Sequence, residues 1–342
     1  MIETKQKEAM DAIFSSLDKS IPVAILLQPA PDPDCLGAAA GFSLLLKEKY
    51  DLHSKTYHTA EISHPQNRSM VNVLNLELIK SMTINNEKYS ATVVLDSDLT
   101  NTGYRTSELL VPDVRIDHHA MDRDDRATLE DIRVVGSTCS IVWDYLNSFG
   151  ISLSNAGDVA TAMVLGIKTD TRDFSSPDTT DLDLEAFRSL TTCVDRDKLA
   201  VLIKYPIPES IFQSEAIALR TMQKKGSILV ASVGSLSPRQ RDHIPITADR
   251  FARIDDIQTV VIIGLVDNCI TVSVRSEDSR VNVPDFCAEV FGQENSGGKH
   301  GSGGANIPLG ILGSLILSED ARENMQQEIL NNLAAKIFKT LE

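Results

Sequence analysis

The first half of the chain alternates short apolar runs with helical segments, and this alternation constrains the fold more than any other feature. Residues 23–27, 91–95 and 114–116 are short and mostly apolar, as expected of strands that are buried on both faces. Helical patterns occupy residues 37–50 and 138–149. Alternation of this kind predicts an α/β domain whose parallel sheet is covered by helices on both faces.

The second half has a different pattern. Strand-like runs at residues 227–233, 259–266 and 269–274 precede a glycine-rich stretch at 297–304 and an amphipathic helix at 321–340. We interpret this half as a smaller α+β domain with a mixed sheet. A chain of 342 residues has room for two domains of ~100–200 residues each. The predicted division is residues 1–192 for the first domain, 193–222 for a connector and 223–342 for the second domain.

The composition of the chain argues against several classes of function. The net charge of −15 argues against a long nucleic acid lying along the surface, whereas a small anion remains compatible because bound cations can reverse the local field. The five cysteines are scattered and form no C-x-x-C pair, so neither a disulfide framework nor a zinc site is indicated and a reducing cytoplasm is expected. Residues 1–20 lack the apolar core of a signal peptide, and no apolar run approaches the ~20 residues that span a membrane.

Acidic residues and histidines follow the ends of the apolar runs, where open α/β sheets bind their ligands. They are Asp32 and Asp34 after the first run, Asp96 after the second, and Asp117, His118 and His119 after the third. Each group also has an ordinary explanation, because aspartate often caps a helix or starts a turn. Asp170 follows an apolar helix at 159–168 and is the least distinctive, since polar loops commonly end helices.

Taken together, these residues form a set of potential metal ligands. The set comprises the carboxylates of Asp32, Asp34, Asp96 and Asp170 and the imidazole of His118. Oxygen-rich donors with some nitrogen suit Mn²⁺ or Mg²⁺ better than structural zinc. Two such ions about 3.5–4 Å apart could clamp the oxygens of a transferring phosphoryl group.

The order of these groups along the sequence resembles that of a known family. The four groups, in this order, resemble motifs I to IV of the DHH phosphoesterases, which include nanoRNase/pAp-phosphatases, cyclic-di-AMP and pApA phosphodiesterases, RecJ exonucleases and manganese pyrophosphatases. The second half resembles the DHH-associated domain through an Arg-Ser pair, Arg275-Ser276, and a glycine loop, Gly297-Gly298-Lys299-His300 followed by Gly303-Gly304. The resemblance spans nearly the whole chain.

The resemblance implies a role for each matching residue. Asp32, Asp34, Asp96, His118 and Asp170 would bind two metal ions, Mn²⁺ or else Mg²⁺. His119 would contact the scissile phosphate, and Asp117 would lie behind the histidines. The residues implied to hold a terminal phosphate are Arg275, Ser276, Gly297, Gly298, His300, Gly303 and Gly304. Arginine offers a two-pronged donor and glycine lets backbone N–H groups approach an anion, although the glycine stretch taken alone could be a plain flexible loop.

The sequence departs from the family pattern at two positions. The family usually has a metal-binding histidine four residues before the first aspartate of motif I, and here that position is Gln28. An amide oxygen binds Mn²⁺ more weakly than imidazole does, so one metal site is expected to be weak or the activity lost. Lys299 replaces a glycine of the loop, and its positive charge remains compatible with phosphate binding.

The leading hypothesis is a cytoplasmic phosphoesterase that hydrolyses phosphate esters of short nucleotides by a two-metal mechanism, acting as an oligoribonuclease or a nucleotide phosphatase. The sequence does not choose among pApA, pAp, a cyclic dinucleotide and short RNA as the substrate. One alternative is a non-catalytic nucleotide binder or sensor, and another is a pyrophosphatase or exopolyphosphatase. No long duplex and no membrane are expected as partners, and homodimerisation is left open.

Overall fold

The structure is a computed structural model, and it describes residues 2, 4–85, 88–97, 103–104, 111–119, 127–299, 301–315 and 319–341. The chain divides into two compact units, Met1–Pro206 and Ile207–Glu342. The segment expected to be a connector, residues 193–222, therefore contributes to both units. Among the described residues, none of the helices is both long and apolar enough to cross a membrane.

The first unit is built on a parallel six-stranded sheet. Its strands are β1 (Val23–Leu26), β2 (Ser54–His58), β3 (Leu78–Lys80), β4 (Ala91–Leu95), β5 (Val114–Asp117) and β6 (Leu129–Ile132). The spatial order is β3-β2-β1-β4-β5-β6. The chain leaves β1 towards β2 on one side and later returns to β4 on the other, so the strand order reverses between β1 and β4. Open α/β sheets bind ligands at such a reversal, outside the carboxyl ends of the strands.

Helices accompany this sheet, as the alternating pattern predicts. They are α1 (Thr4–Phe14), α2 (Pro33–Tyr50), α3 (Pro65–Val73), α4 (Thr138–Ser148), α5 (Gly157–Asp170), α6 (Asp181–Leu190) and α7 (Arg196–Ile203). Alternate residues of β1 enter different cores: Val23 and Ile25 join a large core with α1, α2, α4 and α5, whereas Ala24 and Leu26 join a smaller cluster. Burial on both faces explains why these strands read as continuous apolar runs.

The second unit contains a mixed six-stranded sheet in the order β11-β12-β10-β9-β8-β7. Its elements are α8 (Glu209–Thr221), β7 (Gln223–Lys225), β8 (Ile228–Leu236), α9 (His243–Phe251), β9 (Thr259–Val266), β10 (Cys269–Ser276), α10 (Val283–Phe291), β11 (Ser296–Lys299), β12 (Ser302–Pro308), α11 (Ile311–Leu315) and α12 (Glu319–Thr340). Only β8 and β9 are paired in parallel, and the remaining neighbours are antiparallel. One apolar core includes residues of α8 and α9, and another includes residues of α10 and α12. This confirms the predicted α+β domain.

Two local expectations differ from the structure. The apolar residues at 70–79 suggest one helix, but α3 begins earlier, at Pro65 with His64 as its N-cap, and it ends at Val73 before Asn75 adopts a left-handed φ of 50°. The following residues form β3 instead. The glycine-rich stretch is also not a plain flexible loop, because most of it forms the paired strands β11 and β12.

Candidate metal centre

Three neighbouring strands place the predicted motifs at one edge of the sheet. β1, β4 and β5 lie side by side and run parallel. Asp32 and Asp34 follow β1 at the start of α2, Asp96 directly follows β4, and Asp117 is the last residue of β5. Because the strands share one direction, these carboxylates meet at the carboxyl edge, as the sequence predicts.

Asp34 is held by the beginning of α4, more than a hundred residues further along the chain. Its carboxylate accepts hydrogen bonds from the backbone N–H groups of Thr138 at 2.7 Å and Cys139 at 3.0 Å, and from the hydroxyl of Ser137. The first N–H groups of a helix have no partner within the helix and favour negative charge. Asp34 is therefore fixed in place, with 1% of its surface exposed.

Close helix packing brings Asp170 to the same place. Asp170 is the last residue of α5, and α5 packs against α2 almost without intervening side chains. A Cβ at Gly166 of α5 would lie 2.9 Å from Cα of Asp34, and a Cβ at Gly37 of α2 would lie 2.7 Å from the carbonyl oxygen of Ala162. Glycine at both positions lets the two backbones approach closely, which draws the end of α5 towards the start of α2.

The ring of His118 lies at the centre of this arrangement. Its Nε2 is 3.0 Å from Oδ2 of Asp170, 3.6 Å from Oδ1 of Asp96 and 4.0 Å from Oδ2 of Asp34. Its other nitrogen, Nδ1, lies 3.0 Å from the carbonyl oxygen of Val135. Because a carbonyl only accepts, Nδ1 carries the hydrogen and a neutral ring presents the lone pair of Nε2 to the carboxylates. We call Asp34, Asp96, His118 and Asp170 the histidine cluster.

The electrostatics of the histidine cluster favour a cation. Nε2 of His118 is buried and makes no hydrogen bond of normal geometry, despite its short distance to Asp170. Burial opposes a charge on this ring, but the contact with Asp170 and the nearby charges of Asp34 and Asp96 outweigh it and raise its pKa to about 11. Burial, together with the neighbouring carboxylates, raises the pKa of Asp96 well above its usual range. Without a metal ion, protons must therefore compensate the negative charge.

The donor set fits a divalent ion. Asp34, His118 and Asp170 offer ligand atoms within 4.8 Å of one another, and so do Asp96, His118 and His119. Carboxylate oxygens combined with one or two imidazole nitrogens suit Mn²⁺ or Mg²⁺. An orphaned ring nitrogen aimed at several carboxylates is what a metal ligand looks like before the ion is added.

Asp32 has different surroundings. Its carboxylate caps α2 by accepting from the backbone N–H of Cys35 at 2.9 Å. Burial and the charges of Asp170 and Asp34 raise its pKa to about 6, while the hydrogen bond from Cys35 and the neighbouring Gln28 side chain lower it. Gln28 thus stands beside Asp32 at the position where the resemblance implies an imidazole. We call Gln28 and Asp32 the amide pair.

His119 and Asp117 form a second chain of hydrogen bonds beside the cluster. Oδ1 of Asp117 accepts from the backbone N–H of His119 at 3.1 Å and lies 2.9 Å from Nδ1 of its ring. Burial opposes ionisation of Asp117, but the bonds from His119 and Arg115 prevail and lower its pKa. The side chain of His119 is 41% exposed, so its ring can reach a ligand while Asp117 holds it from behind.

In the second unit, the predicted phosphate-binding residues lie close together on the sheet. Arg275 pairs with Ser302 across β10 and β12, and Gly297 pairs with Gly304 and Gly298 with Gly303 across β11 and β12. Nε of Arg275 donates to Oδ1 of Asp249 at 2.5 Å, and Oγ of Ser276 lies 2.9 Å from the hydroxyl of Thr259. His300 lies outside the described residues.

Close packing also explains why two positions of this stretch are glycine. A Cβ at Gly303 would lie 2.7 Å from Val283 and 2.9 Å from Cys287, and one at Gly304 would lie 2.6 Å from the carbonyl oxygen of Val272. A Cβ at Gly297 would meet nothing within 4 Å. Gly303 and Gly304 are thus needed for close packing, whereas Gly297 on the edge strand β11 is not.

Several supporting residues were missed by the sequence analysis. Arg115 and Asp117 lie two apart on a strand and so share one face, which could have indicated their contact. Ser137 directly precedes the predicted helix at 138–149, the usual position of an N-cap. The contact between Val135 and His118 has no signal in the sequence, because it joins a side chain to a backbone carbonyl on a different segment.

Comparisons with known proteins agree with this fold. No protein-family model matches the chain. It is 31% identical over 344 residues to the uncharacterized protein MJ1633 of Methanocaldococcus jannaschii, a match that covers 100% of this chain and 68% of that protein. A crystal structure of an exopolyphosphatase-related protein from Bacteroides fragilis superposes with a TM-score of 0.68 at 15% identity, covering 100% of this chain and 99% of that one.

A weaker similarity, with a TM-score of 0.49 and 12% identity, extends to RecJ from Thermus thermophilus, solved in complex with Mn²⁺, and covers 98% of this chain and 55% of that one. The match to the B. fragilis structure shows a shared fold, in which a parallel-sheet unit is followed by a mixed-sheet unit. The sequence match shows that the chain belongs to the same family as MJ1633.

Proposed function

We propose that the chain is a metal-dependent phosphoesterase that hydrolyses phosphate esters of short nucleotides, such as short oligoribonucleotides, pApA or pAp. The observation that carries this proposal is the convergence of three carboxylates on the buried Nε2 of His118, within 3.0 to 4.0 Å. Carboxylates gathered in a buried site need a compensating positive charge, which a bound cation can supply. The resemblance of the four motifs to those of the DHH phosphoesterases supplies the reaction class.

The histidine cluster would hold one ion, and the amide pair together with Asp96 would hold a second, weaker one. Bound divalent ions supply charge stabilisation to phosphate oxygens and a water that ionises near neutral pH. Mn²⁺ is the ion we favour, with Mg²⁺ as the alternative, because the set combines oxygen ligands with imidazole. The chain thereby keeps a two-ion arrangement in which the two positions are unequal.

His119 would act on the substrate directly. Its Nδ1 is engaged by Asp117 at 2.9 Å, which fixes the ring and leaves Nε2 as the nitrogen available to a ligand. In the imidazolium form, Nε2 would donate a hydrogen bond to a phosphate oxygen on which charge develops. Asp117 is thus a positioning residue for His119.

The net charge of the chain and the residues of the second unit both favour a small substrate. A net charge of −15 disfavours a long strand, since a protein that binds one needs many basic contacts to phosphates. Arg275, Ser276 and the outer edge of β11 would bind a terminal phosphate through guanidinium, hydroxyl and backbone N–H groups. All five cysteines are free thiols, which supports a reducing compartment such as the cytoplasm.

The test is a substrate panel. Purified protein with Mn²⁺ would be incubated with pApA, pAp, oligoribonucleotides of two to five residues, pyrophosphate and tripolyphosphate, and released mononucleotide and inorganic phosphate would be measured. We expect release from at least one nucleotide substrate, and none from the Asp96→Asn variant. No product from any nucleotide would refute the proposal.

The same panel separates the alternatives. Phosphate release from pyrophosphate or tripolyphosphate alone would favour a pyrophosphatase or exopolyphosphatase, the activity suggested by the description of the B. fragilis structure. A non-catalytic nucleotide binder is favoured by Gln28, because its amide stands where the resemblance implies a metal-binding imidazole and would bind Mn²⁺ more weakly. Nucleotide binding without any turnover, in the presence of saturating Mn²⁺, would indicate that role.

A further inference from the structure

Arg115 is a buried cation beneath the candidate metal centre. It lies on β5, its surface is 0% exposed, and it ranks among the largest fully buried side chains of the described residues. Burying a guanidinium is costly unless its hydrogens are satisfied by well-placed acceptors. A strand buried on both faces would normally carry an apolar residue there, so the contacts of Arg115 call for an explanation.

The guanidinium joins the ends of two neighbouring strands. Nε donates to the carbonyl oxygen of Ser97 at 3.1 Å, and Nη2 donates to Oδ2 of Asp117 at 3.0 Å. Ser97 follows the end of β4, whereas Asp117 is the last residue of β5. One rigid planar group therefore sets the distance and orientation between motif II and motif III.

The contact between Arg115 and Ser97 affects Asp96, a candidate metal ligand. Asp96, the residue before Ser97, adopts a left-handed φ of 55°, which is uncommon for residues other than glycine, although aspartate tolerates it. Such a conformation persists when surrounding contacts enforce it. The bond from the Asp96 N–H to the carbonyl of Ile116 at 2.9 Å enforces it on one side, and the bond from Arg115 to Ser97 does so on the other.

The contact between Arg115 and Asp117 affects the orientation of His119. Asp117 divides its two oxygens, so that Oδ2 faces Arg115 while Oδ1 holds the backbone and ring of His119. Fixing one oxygen fixes the plane of the carboxylate. The orientation of the His119 ring therefore depends on Arg115 through a single intermediate residue.

We propose that Arg115 is a positioning residue that aligns Asp96 and His119 with each other. It touches neither the ion nor the substrate, and it acts through Ser97 and Asp117. The role of His119 in turnover rests on the proposed phosphoesterase function, whereas the effect on metal binding does not.

Arg115→Lys tests the proposal. Lysine keeps the charge but is a single-point donor on a flexible stem, so it cannot hold both acceptors in the same geometry. Losing a supporting contact of a metal ligand typically costs about 10–100-fold. We expect Mn²⁺ affinity, measured by calorimetry, to fall about tenfold and kcat to fall by at least that factor. KM should stay within about twofold, because no substrate contact is removed.

Arg133→Lys is the matched control. Arg133 makes a comparable ion-paired contact in the same unit, with Asp131 at 2.6 Å and Asp144 at 2.7 Å, but none of these three residues belongs to the histidine cluster. Both variants should lower the unfolding temperature. Only Arg115→Lys should lower Mn²⁺ affinity and kcat, and a pattern identical to that of Arg133→Lys would reduce Arg115 to a purely structural residue and overturn the proposal.

A double-mutant cycle checks the path through Asp117. If Arg115 orients His119 by way of Asp117, adding Arg115→Lys to Asp117→Asn should cost less kcat than it costs in the wild type, because only the part that acts through Ser97 and Asp96 remains. Fully additive losses would contradict this path. Should Arg115→Lys fail to fold, Arg115→Gln, with a shorter neutral side chain, would be compared by the same measurements.

The outcomes separate this inference from the proposed function. A wild-type protein inactive on every substrate would refute the phosphoesterase proposal. The Mn²⁺ titration would then still test whether Arg115 aligns Asp96. Unchanged Mn²⁺ affinity in Arg115→Lys would overturn the alignment of Asp96 whether or not the protein is an enzyme. A raised KM with unchanged kcat would also overturn the inference, since it would show a substrate contact instead.

Discussion

The histidine cluster and the amide pair lie at the same sheet edge but are built in different ways. In the cluster, Asp34 is fixed by the start of α4, and the buried Nε2 of His118 has no well-formed hydrogen bond. In the amide pair, Asp32 caps α2 by accepting from the Cys35 N–H, and the neighbouring Gln28 side chain lowers its pKa. The cluster thus combines its carboxylates with an imidazole, whereas the pair offers one carboxylate and one amide.

The two ion positions that the resemblance implies therefore need not bind with equal affinity. A position that offers an amide oxygen in place of an imidazole nitrogen binds Mn²⁺ more weakly. We therefore expect one tight ion and one weak ion per chain.

The largest effect is expected from Asp96→Asn. Asparagine keeps the shape but removes the charge shared by the cluster, so tight Mn²⁺ binding should weaken by at least about a hundredfold, more than a lost supporting contact costs. Asp113→Asn is the control, because Asp113 lies at the opposite end of β5, where its carboxylate accepts from the Thr92 N–H at 2.8 Å. Isothermal calorimetry would show the contrast, and equal losses in both variants would contradict it.

A pH-dependent effect on stability is expected from Asp32→Asn in metal-free protein. The folded-state pKa of Asp32, about 6, lies above its usual value of 3.8, so the folded protein retains a proton that the unfolded chain releases. Wild-type stability should then fall, relative to the variant, as pH rises from about 4 to about 6, by on the order of 2 kcal/mol. Asparagine still caps helices, which isolates the charge.

Urea unfolding at several pH values, with a chelator present, would measure this difference. The trend should shrink when Mn²⁺ is added, because a bound ion replaces the proton as the compensating charge. A difference that is flat with pH, or of opposite sign, would show that Asp32 is not held in a proton-retaining environment.

Gln28→His is expected to strengthen the weak position. Imidazole is the better ligand, so the second Mn²⁺ should bind about tenfold more tightly, equivalent to about 1.4 kcal/mol. Electron paramagnetic resonance should change from an isolated-ion spectrum to one with coupling between two ions. Gln66→His serves as the control, since Gln66 in the same unit bonds to the Leu202 carbonyl at 3.1 Å. Coupled ions in the wild type at low Mn²⁺ concentration would remove the distinction between the two positions.

The smallest effect is expected from Gly37→Ala, which tests the packing behind the cluster. The added methyl would meet the carbonyl oxygen of Ala162 and the sulfur of Cys139, each at 2.7 Å, and would push α2 away from α5. Gly41→Ala is its matched control, because there the methyl would meet the flexible side chain of Met163 at 2.7 Å. Gly37→Ala should destabilise the fold by about 1 kcal/mol more than the control and weaken Mn²⁺ binding a few-fold, as read by thermal unfolding and calorimetry.

Much of this arrangement could be predicted from the sequence, because its signals are local. Short apolar runs separated by helical patterns predict the parallel sheet, and the chemistry at the ends of β1, β4 and β5 predicts where ligands would lie. Even Asp170 enters the site as expected, although a polar residue after a helix is a weak signal.

The remainder depends on contacts that are distant in the sequence. The bonds from Thr138 and Cys139 to Asp34 require α4 to begin at one particular place in the folded chain, and no local pattern specifies that place. The helix expected at 70–79 was wrong for a similar reason, because Pro65 and its His64 cap fix where α3 begins while pairing with β2 draws residues 78–80 into the sheet. The glycines at 303 and 304 look like a loop until their strand partners are known.

Cys35 and Cys139 lie beside the candidate metal ligands. The protonation of their thiols affects which metal ions the protein would bind. Burial and the neighbouring carboxylates raise the pKa values of Cys35 and Cys139 well above the usual range, and the Cys139 Sγ–H points to the carbonyl oxygen of Asp34 at 3.2 Å. Sulfur captures soft ions only after losing its hydrogen. Copper(I) and cadmium should therefore gain little from these nearby cysteines, and the pocket should discriminate against thiophilic contaminants even though it contains sulfur.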